Sequence, residues 1–214
     1  MANSFRNLLL CALASLVSPA LAAQSSACHD PVELNSGPIV LDRKTNLINV
    51  EAPKITQCNV VITADDATAT GIDFDAQSEW RFMGHVRVSV DGTVLTADSA
   101  VFTFADKRLA RGELVGTATF EDAHPEDGKG PIKGGAGKLV YDDRVKTLQL
   151  SVNPWVHKER YEIQGGCELV YDLNDKGVTS GSTTCAEKNT VRVLQRQDGE
   201  APPAAPAAPA APVQ

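Results

Sequence analysis

Tyr161-Glu162-Ile163-Gln164-Gly165-Gly166-Cys167-Glu168-Leu169-Val170-Tyr171-Asp172-Leu173 changes character at almost every residue. Tyr161, Ile163, Gly165, Cys167, Leu169, Tyr171 and Leu173 fall on one side, and Glu162, Gln164, Glu168 and Asp172 on the other, with Val170 the one apolar exception there. A period of two is the pattern of a half-buried β-strand, because successive Cβ atoms point to opposite faces of a sheet. Asn174-Asp175-Lys176-Gly177 then supplies turn residues and a Thr/Ser-rich run follows over 178–185, so the sequence predicts a hairpin. In the register we read, Leu173 opposes Thr179, Tyr171 opposes Gly181 and Cys167 opposes Cys185. A shift of one residue would put those cysteines on opposite faces.

Working outward, the same alternation recurs in Val86-Arg87-Val88-Ser89-Val90, Leu148-Gln149-Leu150-Ser151-Val152 and Val191-Arg192-Val193, and no sustained 3.6-residue period occurs between residues 45 and 196. The body is therefore all-β, with short strands separated by turn signals, as in a sandwich, roll or barrel. A weak repeat runs through it, an aliphatic residue, any residue, then Ala or Gly: Ile62-Thr63-Ala64, Leu95-Thr96-Ala97, Ile132-Lys133-Gly134 and Ile163-Gln164-Gly165. The later copies also share Leu-Val-Tyr-Asp, at 139–142 and 169–172. A unit of two strands cannot bury its apolar face alone, so stacked copies imply an elongated body with open ends.

Both chain ends are set apart from that body. Residues 8–22 are apolar, Arg6 precedes them and Ala20-Leu21-Ala22 closes them, which reads as a cleaved secretory signal over residues 1–22. The apolar run is shorter than the ~20 residues a membrane-spanning helix needs. Residues 23–45 form an N-terminal extension, residues 46–196 the β domain, and residues 197–214 an Ala/Pro-rich tail that offers no face to bury. With 20 Lys+Arg against 27 Asp+Glu the net charge is −7, and loss of Arg6 makes it more negative, so nucleic acid is not an expected partner. Four cysteines follow the signal: Cys28, Cys58, Cys167 and Cys185. In an exported chain they imply two disulfides; sequence alone permits three pairings, and the hairpin register favours Cys167 with Cys185, leaving Cys28 with Cys58.

Candidate chemistry is sparse. The Gly-rich stretch 128–138 fails as a phosphate loop, since Ile132 stands where the first glycine is required, Leu139 replaces the Ser or Thr, and a strand follows; we read it as a loop closing two strands. His29, His85, His124 and His157 lie in no ligand spacing. The acidic pairs Asp65-Asp66, Glu121-Asp122 and Asp142-Asp143 are sequence neighbours, which point to opposite faces of a strand. No metal, no cofactor and no enzymatic activity are expected.

The succession Gly84-His85-Val86-Arg87-Val88, Leu95-Thr96-Ala97-Asp98, Gly116-Thr117-Ala118-Thr119-Phe120 and Leu139-Val140-Tyr141-Asp142, continued by Leu148-Gln149-Leu150, Ile163-Gln164-Gly165, Leu169-Val170-Tyr171 and Thr190-Val191-Arg192-Val193-Leu194, resembles the LptA/OstA-like family of periplasmic lipopolysaccharide-transport bridge proteins. The resemblance covers residues 46–196. It implies a twisted β-jellyroll, a U-shaped trough open at both ends and apolar inside, in which a periplasmic carrier shields the acyl chains of lipopolysaccharide between inner- and outer-membrane complexes. The implied partners are lipopolysaccharide, an inner-membrane LptC-like and an outer-membrane LptD-like component docking on edge strands, and further copies head to tail. Two alternatives stand beside it: an LptC-like membrane-anchored component, and a structural β-repeat protein with a packed core.

By motif position the resemblance carries over Ile48, Phe120 and Tyr141 as lipid-binding residues lining the trough, and Val50 joins them by alternation with Ile48. Val88, Leu148, Leu150, Ile163 and Leu169 follow from the pattern of their own strands. Unpaired backbone groups of terminal strands invite a neighbour's strand. The candidate edges are residues 46–51 at the N-terminal end and 190–196 at the C-terminal end.

Overall fold

The computed structural model describes residues 30–70, 74, 78–123, 130–180 and 188–194. Its strands in chain order are β1 (Glu33–Asn35), β2 (Ile39–Asp42), β3 (Leu47–Glu51), β4 (Lys54–Gln57), β5 (Val60–Thr63), β6 (Asp66–Thr70), β7 (Glu79–Val90) and β8 (Thr93–Ala105). They continue with β9 (Arg108–Asp122), β10 (Ile132–Asp142), β11 (Thr147–Ser151), β12 (Trp155–Lys158), β13 (Tyr161–Gln164), β14 (Glu168–Asp172), β15 (Val178–Ser180) and β16 (Thr190–Val193). All belong to one antiparallel sheet that does not close on itself, a twisted β-jellyroll.

The sheet is folded along a crease that crosses every long strand. Pairing slips between Met83 and Val86 in β7, between Thr96 and Ser99 in β8 and between Ala136 and Lys138 in β10. Such bulges bend a strand and increase its twist. Gly116 in β9 has φ 100°, a conformation costly for residues with a Cβ, and a Cβ there would collide with the Asp98 carboxylate. Outside the long strands the fold line passes through the breaks between β5 and β6 and between β13 and β14. Asp65 there donates its N–H to Gly84 O at 2.9 Å, and Gly165 donates to Pro154 O at 2.9 Å.

The crease divides the sheet into two walls. The first runs β1, β4, β5, then the halves of β7–β10 that carry Val88, Leu95, Phe120 and Gly134, then β12, β13 and β16. The second runs β2, β3, β6, then the other halves of β7–β10, then β11, β14 and β15. Their inner faces meet in one hydrophobic cluster, in which the Phe120 ring of the first wall stacks on Tyr171 of the second with centroids 4.8 Å apart.

Several expectations are corrected. The stretch 161–173 is two strands, β13 and β14, lying in different walls; its alternation runs on through the break at Gly165-Gly166, so the bend leaves no trace in the pattern. The β14–β15 hairpin pairs Tyr171 with Val178 and Leu169 with Ser180, three residues away from the expected register, because Gly177 follows Lys176 at φ 58° in a tighter turn. The Gly-rich stretch is not a loop from Ile132 onward: Gly134, Gly135 and Gly137 lie inside β10. Gly134 faces Phe120, and a Cβ there would overlap that ring. Residues 33–42, set apart as extension, contribute β1 and β2 to the sheet. Of the four repeat anchors, Ala64, Ala97 and Gly165 stand at the crease and Gly134 stands in the row of Phe120.

Candidate functional site

The inner faces of the two walls are the candidate site, and the sheet register sets them out as rows. On the first wall Ile55, Ile62, Val88, Leu95 and Phe120 are cross-strand neighbours, continued past Gly134 by Val156 and Ile163. On the second, Ile48, Ala69, Trp80 and Phe102 lead through Gly112 to Tyr141, Leu148 and Tyr171. A second row, nearer the crease, holds Val50, Phe82, Leu114, Leu139, Leu150 and Leu169. Every strand gives each row one residue because inward side chains recur at every second position.

All nine residues read from the sequence as trough-lining therefore point inward, three on the first wall (Val88, Phe120, Ile163) and six on the second (Ile48, Val50, Tyr141, Leu148, Leu150, Leu169). Eight are buried and Ile163 is partly buried. Trp80, Phe82 and Phe102, buried rings of the second wall, were missed, and Tyr171 was placed on the inward face without being named as lining; the alternation of Trp80-Arg81-Phe82 and Phe102-Thr103-Phe104 carries the signal that finds the first three. Trp80 Nε1 and Thr93 Oγ1 are buried with no hydrogen-bond partner among the described residues.

Polar groups gather where the rims of the walls approach each other, opposite the crease. Tyr141 donates its hydroxyl to Asp143 Oδ1 at 2.6 Å, and Tyr171 donates to Asp122 Oδ2 at 2.8 Å. Burial, then the bond to the carboxylate, pushes both phenols well above their ordinary pKa. Burial raises Asp143, yet hydrogen bonds from Lys146 and Tyr141 and the charges of Lys146 and Arg108 outweigh it and hold the carboxyl below its usual range. Burial likewise lowers Lys146, and its bonds to Asp143 and Asp91 reverse this and hold it above. On the outer side of the crease exposed His85 meets Asp65 at 2.7 Å, which raises the imidazole. Among the described residues no three His, Cys, Asp or Glu gather as metal ligands.

The edges differ from expectation at one end. Residues 46–51 are not an edge: β3 is paired on both sides, with β2 and β6. Among the described residues, at that end β1 pairs only β4 and β2 only β3, and at the other β15 pairs only β14 and β16 only β13. The C-terminal edge thus lies where it was read, in β16. Both end regions expose apolar residues, Ile39, Val40 and Leu41 at one and Val191, Val193 and Leu194 at the other. Cys58 and Cys167 are disulfide-bonded, while Cys28 and Cys185 lie outside the described residues.

An unclosed all-β roll with two facing apolar walls defines a β-scaffold with a greasy interior. Residues 61–177 match the protein family described as LptA/(LptD N-terminal domain) LPS transport protein, and the chain belongs to that family. Among solved structures it is similar to LptH, titled the LptA homologous periplasmic component of the conserved lipopolysaccharide transport device from Pseudomonas aeruginosa, with 17% identity, 77% of this chain and 96% of that chain covered, and a TM-score of 0.49. No curated protein matches.

Proposed function

We propose that the protein is a periplasmic lipopolysaccharide carrier that holds acyl chains between its two walls and bridges inner- and outer-membrane transport complexes. The observation that carries this reading is the continuity of the apolar rows, which run across the roll with exposed apolar strands at both ends. Each CH₂ kept from water is worth about 0.8 kcal/mol, so a lipid with several chains crosses an aqueous gap only under continuous apolar cover. Ile48, Val50, Val88, Phe120, Tyr141, Leu148, Leu150, Ile163 and Leu169 line that path. The edges of β1, β2, β15 and β16 take an LptC-like or LptD-like partner, or another copy, by strand addition. A signal over residues 1–22 is removed on export, and Cys28–Cys58 and Cys167–Cys185 form in the oxidising compartment.

Purified protein mixed with lipopolysaccharide and separated without detergent should co-elute with the lipid. A folded protein that retains none contradicts the carrier reading. That outcome would favour the second reading, a structural β-repeat protein with a packed core, which rests on the burial of the same inner side chains. N-terminal sequencing of exported protein that begins near Ala23 separates the carrier from a membrane-anchored relative.

A further inference from the structure

The seam opposite the crease is closed by polar contacts that follow one order along the roll. Gln57 Nε2, on the first wall's rim, donates to Lys107 O in the β8–β9 turn at 2.7 Å. Lys146, in the β10–β11 turn of the second wall, then reaches Asp91 in the β7–β8 turn at 2.9 Å and holds its neighbour Asp143 at 2.7 Å. Tyr171 and Lys176 converge on Asp122 of the first wall, the lysine at 2.6 Å, and Lys158 Nζ donates to Lys176 O at 2.9 Å. Asp122 is 1% exposed and Lys176 16%, so this contact is sealed from water.

The two lysines hold equivalent places in the repeat. Asp142 and Asp172 end the two Leu-Val-Tyr-Asp copies, and each folds its turn by accepting backbone N–H groups, from Arg144 at 3.0 Å and from Asn174 at 2.7 Å. Four residues on, Lys146 and Lys176 have φ 53° and 58°, left-handed values that disfavour a long side chain. In the outlying β2–β3 turn Asp42 accepts from Lys44 in the same way, and the fourth residue on is Asn46 at φ 54°. Asn tolerates that backbone, and no contact across the seam is found there among the described residues. Lysine thus stands at this strained position where an opposing rim offers an aspartate, and asparagine where none does.

We infer that Lys146 and Lys176 are paired clasps across the long seam, and that acyl chains enter between the walls when these clasps release and one rim swings away from the other about the bulged crease. This rests on the carrier reading above. It explains how rows buried among themselves can also receive hydrocarbon: the apolar contact of Phe120 with Tyr171 lies directly inside the Asp122–Lys176 clasp, so freeing the rim exposes both rings. An ion pair suits the task. Opened, each member is solvated by water and nothing apolar is stranded on the rim.

The test places spin labels on the full chain at two exposed rim positions outside the clasps, Ala123→Cys and Asn174→Cys, and reads their separation with and without purified lipopolysaccharide. Lipid should lengthen it by about 4 Å, the contact distance of one added layer of carbon atoms. Lys176→Gln should broaden the distance distribution without lipid and load lipid faster, and Lys146→Gln, on the more exposed clasp, gives the same reading if Lys176→Gln fails to fold. Lipid retained with the rims unmoved overturns the clasp and leaves the carrier intact, as do variants whose rims stay as narrow as the parent's. No lipid retained by any form overturns the carrier reading and the clasp's role with it.

Discussion

Val-Arg-Val occurs twice in this chain, at 86–88 in the middle of the roll and at 191–193 on its last strand. Val88 is 0% exposed and Val191 60%. Both are strands with the same alternation, and the two valines sit in the same row of the first wall. What differs is cover: Val88 lies within the cluster where both walls meet, whereas β16 has one neighbour among the described strands and presents every residue to solvent. The buried packing of this protein therefore lies in its middle, and its ends are where apolar strand residues are left exposed, the surfaces the proposed partners would take.

Removal of an inner ring should break that contrast most strongly. Phe120→Ala is expected to destabilise the fold by roughly 3–5 kcal/mol in urea unfolding, whereas Val191→Ala should change it by less than about 0.5 kcal/mol. Reduction of the disulfides comes next: each structural bridge lost should cost about 2–5 kcal/mol, and unchanged thermal stability under reductant would remove them from the account. A smaller effect sharpens the comparison from the seam. Asp143 is held below its ordinary pKa, so its contribution is complete above the unfolded carboxylate value of about 3.9 and is lost as pH falls through the lower folded value. Lys146 is held above its own, so its contribution is complete below about 10.4 and is lost as pH rises through the higher folded value. Rim separation should then be flat between these limits and widen beyond either. Smallest in stability but decisive for the ends, Val191→Asp should leave unfolding within about 0.5 kcal/mol of the parent and weaken end-to-end association in sedimentation.

Strand alternation exposed most of the fold, since one face must be buried wherever two walls meet, and this is why residues as far apart as Val88 and Leu169 could be assigned to the interior from their neighbours alone, whereas Ile48 rested on the family resemblance. The crease was hidden because neither a bulge nor a strand break need interrupt the hydrophobic pattern, as the break at Gly165-Gly166 between β13 and β14 demonstrates. The N-terminal edge was misplaced because Ile39-Val40-Leu41 is a plain apolar run with no alternation to mark it as a strand. Leu-Val-Tyr-Asp was visible as a repeat. The function of the lysine four residues beyond it was not, since Asp91 and Asp122 lie 55 and 54 residues from their partners and only the folded roll brings them together.

Phe120 and Glu121 are adjacent on β9, one facing the opposite wall and the other facing water. A photo-crosslinking residue at Phe120, and likewise at Ile48 or Tyr141, should capture lipopolysaccharide in cells, while the same residue at Glu121 should capture none. Absence of adducts at all three inward positions in folded protein, or equal capture at Glu121, would contradict an interior that carries lipid.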